Sequence, residues 1–336
     1  MVSEEAKLSC EKIYSKLTGI AKYTPEKVLT NFDIEKFVDT SNEWIIQRTG
    51  IKERKIAEQH DGTSDLAYKA AIEALERANV RAEDLDAIIV GTATPDYMFP
   101  STACLVQKKL GNLKAFAFDL NAGCTGFIYG LSVADSFIKS GKCKTCLVIG
   151  AEILSKFLNW QDRTSCVLFG DGAGAVILEA SSTPGIKNII LNSNGEYAEL
   201  LYMPAGGSKQ PASEETVANN LHTVHMKGKE VFKIAVNNLS FVAEKLLSDN
   251  NLEVSELDLF VPHQANKRII NAVSQKLGLT EEQIFMNIHN YGNTSAASIP
   301  IALSEAFENR DIKRGTNILI TAFGAGLTWG GALIEF

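Results

Sequence analysis

Short, uninterrupted apolar runs alternate along the chain with longer stretches in which apolar positions recur at helical spacing. Runs such as Ala87-Ile-Ile-Val, Cys146-Leu-Val-Ile-Gly and Ile318-Leu-Ile-Thr show no polar/apolar alternation. A strand of that kind is buried on both faces, so sheets enclosed by helices are expected. Between the runs lie amphipathic stretches. After Thr125, a helix N-cap candidate, Phe127, Leu131, Ala134, Phe137 and Ile138 share one helical face until Ser140-Gly141 ends it. The pattern predicts an α/β protein.

The pattern also repeats. Leu85-Asp86-Ala-Ile-Ile-Val has the form of Leu257-Asp258-Leu-Phe-Val-Pro, and each leads to an apolar segment entering a small-residue turn. These turns follow Phe118-Asp-Leu-Asn-Ala-Gly-Cys in the first case and Met286-Asn-Ile-His-Asn-Tyr-Gly in the second. Cys146-Leu-Val-Ile-Gly then matches Ile318-Leu-Ile-Thr, and GDGAGAVILE (170–179) matches GAGLTWGGALIE (324–335). A duplicated, layered α/β fold follows, with two homologous halves at 12–184 and 185–336. Residues 1–11 precede the repeat and are expected to form a flexible extension.

Composition narrows the function classes. With 336 residues, 45% hydrophobic and 22% charged, the chain is of ordinary globular type. A net charge of -7 argues against nucleic acid as the main partner, which would require a basic surface. The first dozen residues mix Glu4, Glu5, Lys7, Glu11 and Lys12 without an apolar run, so no signal or transit peptide is read there and the cytoplasm is the expected location. The uncharged stretch Ile318 to Ile334 is broken by Gly324, Gly326, Gly330 and Gly331, and it reads as two strands around a loop rather than a membrane span.

Six cysteines are too few and too irregular for a disulfide scaffold. Cys143-x-x-Cys146 could form half of a zinc site only with His222 and His225, a looser set than zinc sites use, and Cys146 fits better as the start of the buried strand CLVIGAE; no metal is expected. The glycine-rich segments lack both Gly-x-Gly-x-x-Gly with a following acid and a P-loop, which argues against a nucleotide cofactor.

The candidate chemistry centres on NAGCTGF, residues 121–127. A thiol at a helix N-terminus meets free N–H groups and the positive end of the dipole, which lower its pKa, and Ala122, Gly123 and Gly126 leave room for a substrate. A buried structural cysteine fits the position equally well. Two residues of the second half could serve as partners. His263 follows LDLFVP, and Asn293, in HNYGNTSAAS, is expected at the point where the repeat mirrors Cys124. His60 and His289 have no such placement and read as structural or solvated.

At these residues the chain resembles the β-ketoacyl-acyl-carrier-protein synthase III family, the initiating condensing enzymes of type II fatty acid synthesis. The resemblance rests on NAGCTGF, VPHQANKRII (261–270), NYGNTSAAS (290–298), FGAGLTWGGALIEF (323–336) and TSNEWIIQRTGIKER (40–54), and it spans Lys12 to Phe336. It implies the duplicated thiolase-like fold (αβαβα), a homodimer, and no bound cofactor, acyl-CoA being a substrate. It further implies that Cys124 takes the acyl group while His263 and Asn293 drive decarboxylation of malonyl-acyl carrier protein. The backbone N–H groups of Cys124 and Ala325 would then form the oxyanion hole, although some relatives carry glycine at the latter position.

By the same resemblance Trp44 and Arg163 stack the adenine of CoA. Arg48, four residues after Trp44, shares its helical face. Phe99 in DYMFPS would limit the acyl pocket of the opposite subunit. Gln264, Lys267, Arg268 and the upstream Lys233 would dock the acidic carrier, with Lys227 and Lys229 nearby; Lys229 replaces an Asn that contacts the cofactor arm in some relatives. The alternatives are a starter-loading or condensing paralogue of polyketide-like metabolism, a cysteine thioester hydrolase, or a noncatalytic module on the same fold.

Overall fold

The computed structural model describes residues 12–336; the extension 1–11 lies outside the described residues. The first sheet contains β1 (Tyr14–Tyr23), β2 (Ala87–Gly91), β3 (Phe116–Leu120), β4 (Thr145–Ile153) and β5 (Asp171–Ser181), in spatial order β1-β5-β4-β2-β3. The second contains β6 (Ile186–Ser193), β7 (Leu259–Pro262), β8 (Asn317–Gly324) and β9 (Thr328–Glu335), in order β6-β9-β8-β7. The two orders superimpose, and so do the directions. β2 runs parallel to β4 as β7 does to β8, and the next pairs, β4 with β5 and β8 with β9, are antiparallel.

The counterpart of β3 is reduced to a single bridge between Phe260 and Ile284. The N–H groups of Asn287 and Ile288, which would have extended that ladder, point at the side-chain oxygen of Gln264 at 3.0 and 3.2 Å, and the chain turns into a short helix, Ile288–Tyr291. A side chain thus replaces the fifth strand as their partner.

Seven helices complete the layers: α1 (Asn42–Thr49), α2 (Thr63–Ala78), α3 (Thr102–Leu110), α4 (Gly126–Lys139), α5 (Gly228–Asp249), α6 (Lys267–Leu277) and α7 (Ser298–Asn309). α2 covers the outer face of the first sheet and α5 that of the second, each packed beside a shorter helix, α3 and α6. α4 and α7 form the middle layer. α4 packs on β2 and β4 but also reaches β9 and β6, while α7 packs on β5, β1 and β7. Phe127, Ile128 and Leu131 of α4 therefore share one core with Ile299, Ala302 and Leu303 of α7 and with strands of both sheets. Each phenylalanine, leucine or isoleucine among them contributes on the order of 1.5–3 kcal/mol on burial. Because the halves share this core, the strand ends where the middle helices begin are held against each other. There the approach is close enough that a Cβ on Gly150 of β4 would lie 2.1 Å from the Ala296 carbonyl oxygen.

Candidate active site

The turn from β3 into α4 sets Cys124. Asn121 accepts the Gly123 N–H with its side-chain oxygen at 3.2 Å, Gly123 takes φ +54°, and the Gly126 N–H reaches the Gly123 carbonyl at 2.9 Å. Positive φ at Gly123 is where the absence of a Cβ matters. Thr125 precedes the helix, but its hydroxyl does not cap it; that group pairs with the Thr328 hydroxyl at 2.9 Å, tying the turn to the second sheet. The expectation of a lowered thiol pKa is corrected. Burial pushes Cys124 up to about 12, opposed by hydrogen bonds to Ser295 and to its own backbone and reinforced by the nearby Glu152 carboxylate. The resting sulfur is a thiol.

His263 and Asn293 come from the second half. His263 follows β7, its N–H held by the Thr321 carbonyl at 2.8 Å and its Nδ1 2.5 Å from the Ser298 hydroxyl. That hydroxyl oxygen also accepts the Gln264 N–H at 3.4 Å; we assign its proton to Nδ1, the tautomer that leaves the ring proton on Nε2. Burial holds the imidazole down to about 3, so it is neutral. Asn293 is stitched between Leu168 and Gly170 of the first half by backbone hydrogen bonds of 2.8 and 3.1 Å. Its side-chain oxygen accepts the Ser295 N–H at 2.8 Å, which leaves the amide nitrogen as donor. Cys124, His263 and Asn293 line one cavity of about 150 Å³.

The register of the repeat is shifted from the expected one. The spacing from Leu85 to Leu257 and from Cys146 to Ile318 also separates Asn121 from Asn293. Both asparagines accept an N–H two residues on, and Ser295 has φ +50° where Gly123 has +54°. Asn293 therefore mirrors Asn121, and the counterpart of Cys124 is Ala296.

The Cys124 turn and the Gly324-Ala325-Gly326 turn pack backbone to backbone, which brings the Cys124 and Ala325 amides to the same place. A Cβ on Gly324 would meet the Cys124 nitrogen at 2.5 Å, and one on Gly123 would meet the Ala325 nitrogen at 2.7 Å. Neither amide is spent on a turn or cap hydrogen bond. The cavity opens outward along shared walls of Leu168, Met226, Phe232 and Asn266 into a surface cleft of about 590 Å³. Trp44 stands in that cleft beneath Arg163, at 4.9 Å from its ring centre, with Arg48 at 5.8 Å. Ser41 starts the helix carrying Trp44 by accepting its N–H at 3.1 Å. Beyond Cys124 lies a mostly apolar pocket lined by Leu154, Phe157, Phe169 and Leu201 and bordered by the exposed Tyr202 and Met203.

A family model described as 3-oxoacyl-[acyl-carrier-protein (ACP)] synthase III matches residues 118–195, and its C-terminal companion matches residues 247–336. A β-ketoacyl-[acyl-carrier-protein] synthase III from Caldanaerobacter subterraneus subsp. tengcongensis is 54% identical over 97% of this chain and 99% of its own length. The chain belongs to the β-ketoacyl-acyl-carrier-protein synthase III family. The crystal structure of such a synthase from Aquifex aeolicus matches with TM-score 0.89 and 50% identity, covering 96% of this chain and all of that one. A priming β-ketosynthase of a polyketide pathway has the same fold at TM-score 0.90 but only 32% identity, over 97% of each chain. The family's thiolase-like fold is the five-layered duplication described above.

The remaining expected residues of a synthase III site are dispersed. Phe99 is 86% exposed on a loop with Tyr97 and Met98, and lines none of the cavities around Cys124. Lys233, Lys267 and Arg268 are exposed; Arg268 lines the outer cleft with Lys229 and covers the Phe232 ring at 5.5 Å. Gln264 is corrected. It is 1% exposed, and its amide donates to the Pro262 carbonyl while its oxygen receives Asn287 and Ile288, so it holds the fold and offers nothing to a docking partner.

Cys143 and Cys146 are buried in the core, and among the described residues no cluster of metal-ligand type occurs. No described helix is long and apolar enough to cross a membrane. His60 is exposed beside Asp61, and His289 is half-buried. One pair of residues escaped the sequence reading. Glu152, inside the strand read only as CLVIGAE, is fully buried and hydrogen-bonded to Ser295 at 3.0 Å. An acid in a wholly buried strand was the available signal.

Proposed function

We propose that Cys124 accepts a short acyl group from acyl-CoA and passes it to the carbanion released by decarboxylation of malonyl-acyl carrier protein, starting a fatty acid chain. The thiolate of Cys124 attacks the thioester carbonyl, and the developing oxyanion meets the N–H groups of Cys124 and Ala325; loss of one such donor typically costs on the order of 10² to 10³ in rate. CoA leaves, and the malonyl thioester enters by the same passage. As carbon dioxide departs, negative charge grows on its thioester oxygen, where His263 Nε2–H and Asn293 amide N–H are placed to donate. Both are neutral, so they stabilise the enolate without protonating it outright. The enolate carbon then attacks the acyl-cysteine carbonyl, and collapse of the tetrahedral intermediate expels the Cys124 thiolate and yields a β-ketoacyl carrier protein. No cofactor is bound in this scheme.

The single observation that carries this reading is the convergence of Cys124, His263 and Asn293 on one cavity between a cation-flanked outer cleft and an apolar pocket beyond Cys124. Trp44 and Arg163 suit the adenine, Arg48 and Lys229 the phosphates, and the apolar pocket the acyl chain. Lys233, Lys267 and Arg268 form the carrier-docking face. The exposed Phe99 loop fits a homodimer in which it closes the partner's acyl pocket. We place the activity in the cytoplasm, where the described cysteines, all free, stay reduced. A hydrolase would need an imidazole paired with the thiol, whereas His263 pairs with Ser298.

Intact mass after exposure to a panel of acyl-CoAs, then to malonyl carrier protein, tests the reading. An adduct on the native chain, absent in Cys124→Ala and discharged as β-ketoacyl carrier protein, is the expected result; discharge as free acid would contradict it.

A further inference from the structure

We propose that Ser295 and Glu152 form a relay that receives the proton of the Cys124 thiol as the acyl group is loaded. The proposal rests on the acyl-transfer reading above and identifies where that proton goes. Ser295 links the two groups: its hydroxyl donates to Glu152 Oε1 at 3.0 Å, and the residue lines the same apolar pocket as Cys124. Its backbone has φ +50°, a conformation that a glycine supplies in the matching turn of the first half. Such strain at a non-glycine residue persists only where the surroundings enforce it, and functional sites are where it collects.

Glu152 is arranged to be an acceptor. Thr94 donates to Oε2 at 2.6 Å, Thr92 at 3.3 Å and the Ala93 N–H at 3.1 Å. The two hydroxyls are held in place beside the carboxylate, since the Thr94 oxygen accepts the Ile153 N–H at 3.0 Å and the Thr92 oxygen accepts the Thr94 N–H at 3.1 Å. Among the described residues no cation forms an ion pair with this carboxylate. Of the elements packed on it, the end of β2, the Cys124 turn, the Ser295 turn and β5, the titratable group that faces it is Cys124. Asp171, paired with Ile153 on β5, turns its carboxylate to Ala57 and Ser155. Burial raises Glu152 to about 7, close to where a base works best at neutral pH. His263, held down to about 3, is a weaker acceptor.

In the loading step the S–H bond of Cys124 breaks as an O–H bond forms on Ser295, and the original Ser295 proton moves to Glu152 Oε1. The sulfur, now a thiolate, forms the new C–S bond and the CoA sulfur leaves with its electron pair. The proton returns from Glu152 through Ser295 to the departing sulfur, so loading releases no net proton.

The test is the rate of Cys124 acylation by an acyl-CoA, and separately its alkylation by iodoacetamide, from roughly pH 5 to 9 in the native protein, Glu152→Gln and Ser295→Ala. The native protein is expected to lose both rates as pH falls through about 7, where Glu152 becomes protonated. Both variants should load on the order of 10²-fold more slowly and show a continuous rise with pH in place of that break, with decarboxylation of malonyl carrier affected less. Variants that keep the native break, or lose loading and decarboxylation equally with the break in place, would overturn the relay. A break in alkylation that depends on Glu152, with no acyl adduct from any donor, would support the relay and overturn the acyl-transfer reading instead.

Discussion

The turns at 121–126 and 293–298 occupy equivalent places in the duplicated fold, yet they hold different chemistry. Each opens with an asparagine accepting an N–H two residues on, passes through a positive φ and enters a middle-layer helix. The first half puts the nucleophile where the second has Ala296. The second half puts His263 at the end of β7, and the position that matches it after β2 is Gly91, where a Cβ would lie 2.6 Å from the Gly126 carbonyl carbon. Duplication thus supplies two similar scaffolds, and each half carries a reactive side chain, Cys124 or His263, where the other has a small residue, Ala296 or Gly91. Neither half holds a complete site.

That division can be probed by substitution. The largest effect is expected from His263→Ala, which removes a donor to the enolate: condensation should fall on the order of 10² to 10³ while Cys124 still takes up acyl groups, as read by intact mass. The decarboxylation rate of the native protein should also be flat from about pH 8 down to pH 5, because the imidazole charges only near 3. Gln264→Ala should act on stability instead. Two buried N–H groups lose their acceptor, a loss of about 1–3 kcal/mol measurable as a lower urea midpoint, with the apparent KM for carrier protein unaltered. A smaller effect belongs to the outer cleft. Trp44→Ala removes a cation-flanked ring contributing about 1 kcal/mol, so KM for acyl-CoA should rise several-fold while a short acyl thioester lacking adenine is used as before.

The layered fold was legible because continuous apolar runs such as CLVIGAE and their repeat are imposed by burial on both faces. Cys124, His263 and Asn293 were legible because strand ends in a duplicated sheet must meet. The register of the mirror was misread, although the constant spacing of the repeat already sets Asn293 against Asn121; the matching Asx-type turns and the positive φ at Ser295 bear out that spacing. Gln264 misled for a different reason: it begins a basic helix in sequence, but its own side chain folds back under the strand end in place of a missing β-strand. Glu152 stayed hidden because its partners Thr92, Thr94 and Ser295 are far apart in the chain and polar for reasons any loop would share.

The division of labour between the halves is tested most directly by measuring acyl loading and malonyl decarboxylation separately in Cys124→Ala and Asn293→Ala. Cys124→Ala should form no adduct yet still release carbon dioxide from malonyl carrier protein, whereas Asn293→Ala should load normally and release it on the order of 10²-fold more slowly. Loss of both half-reactions in both variants would contradict the account.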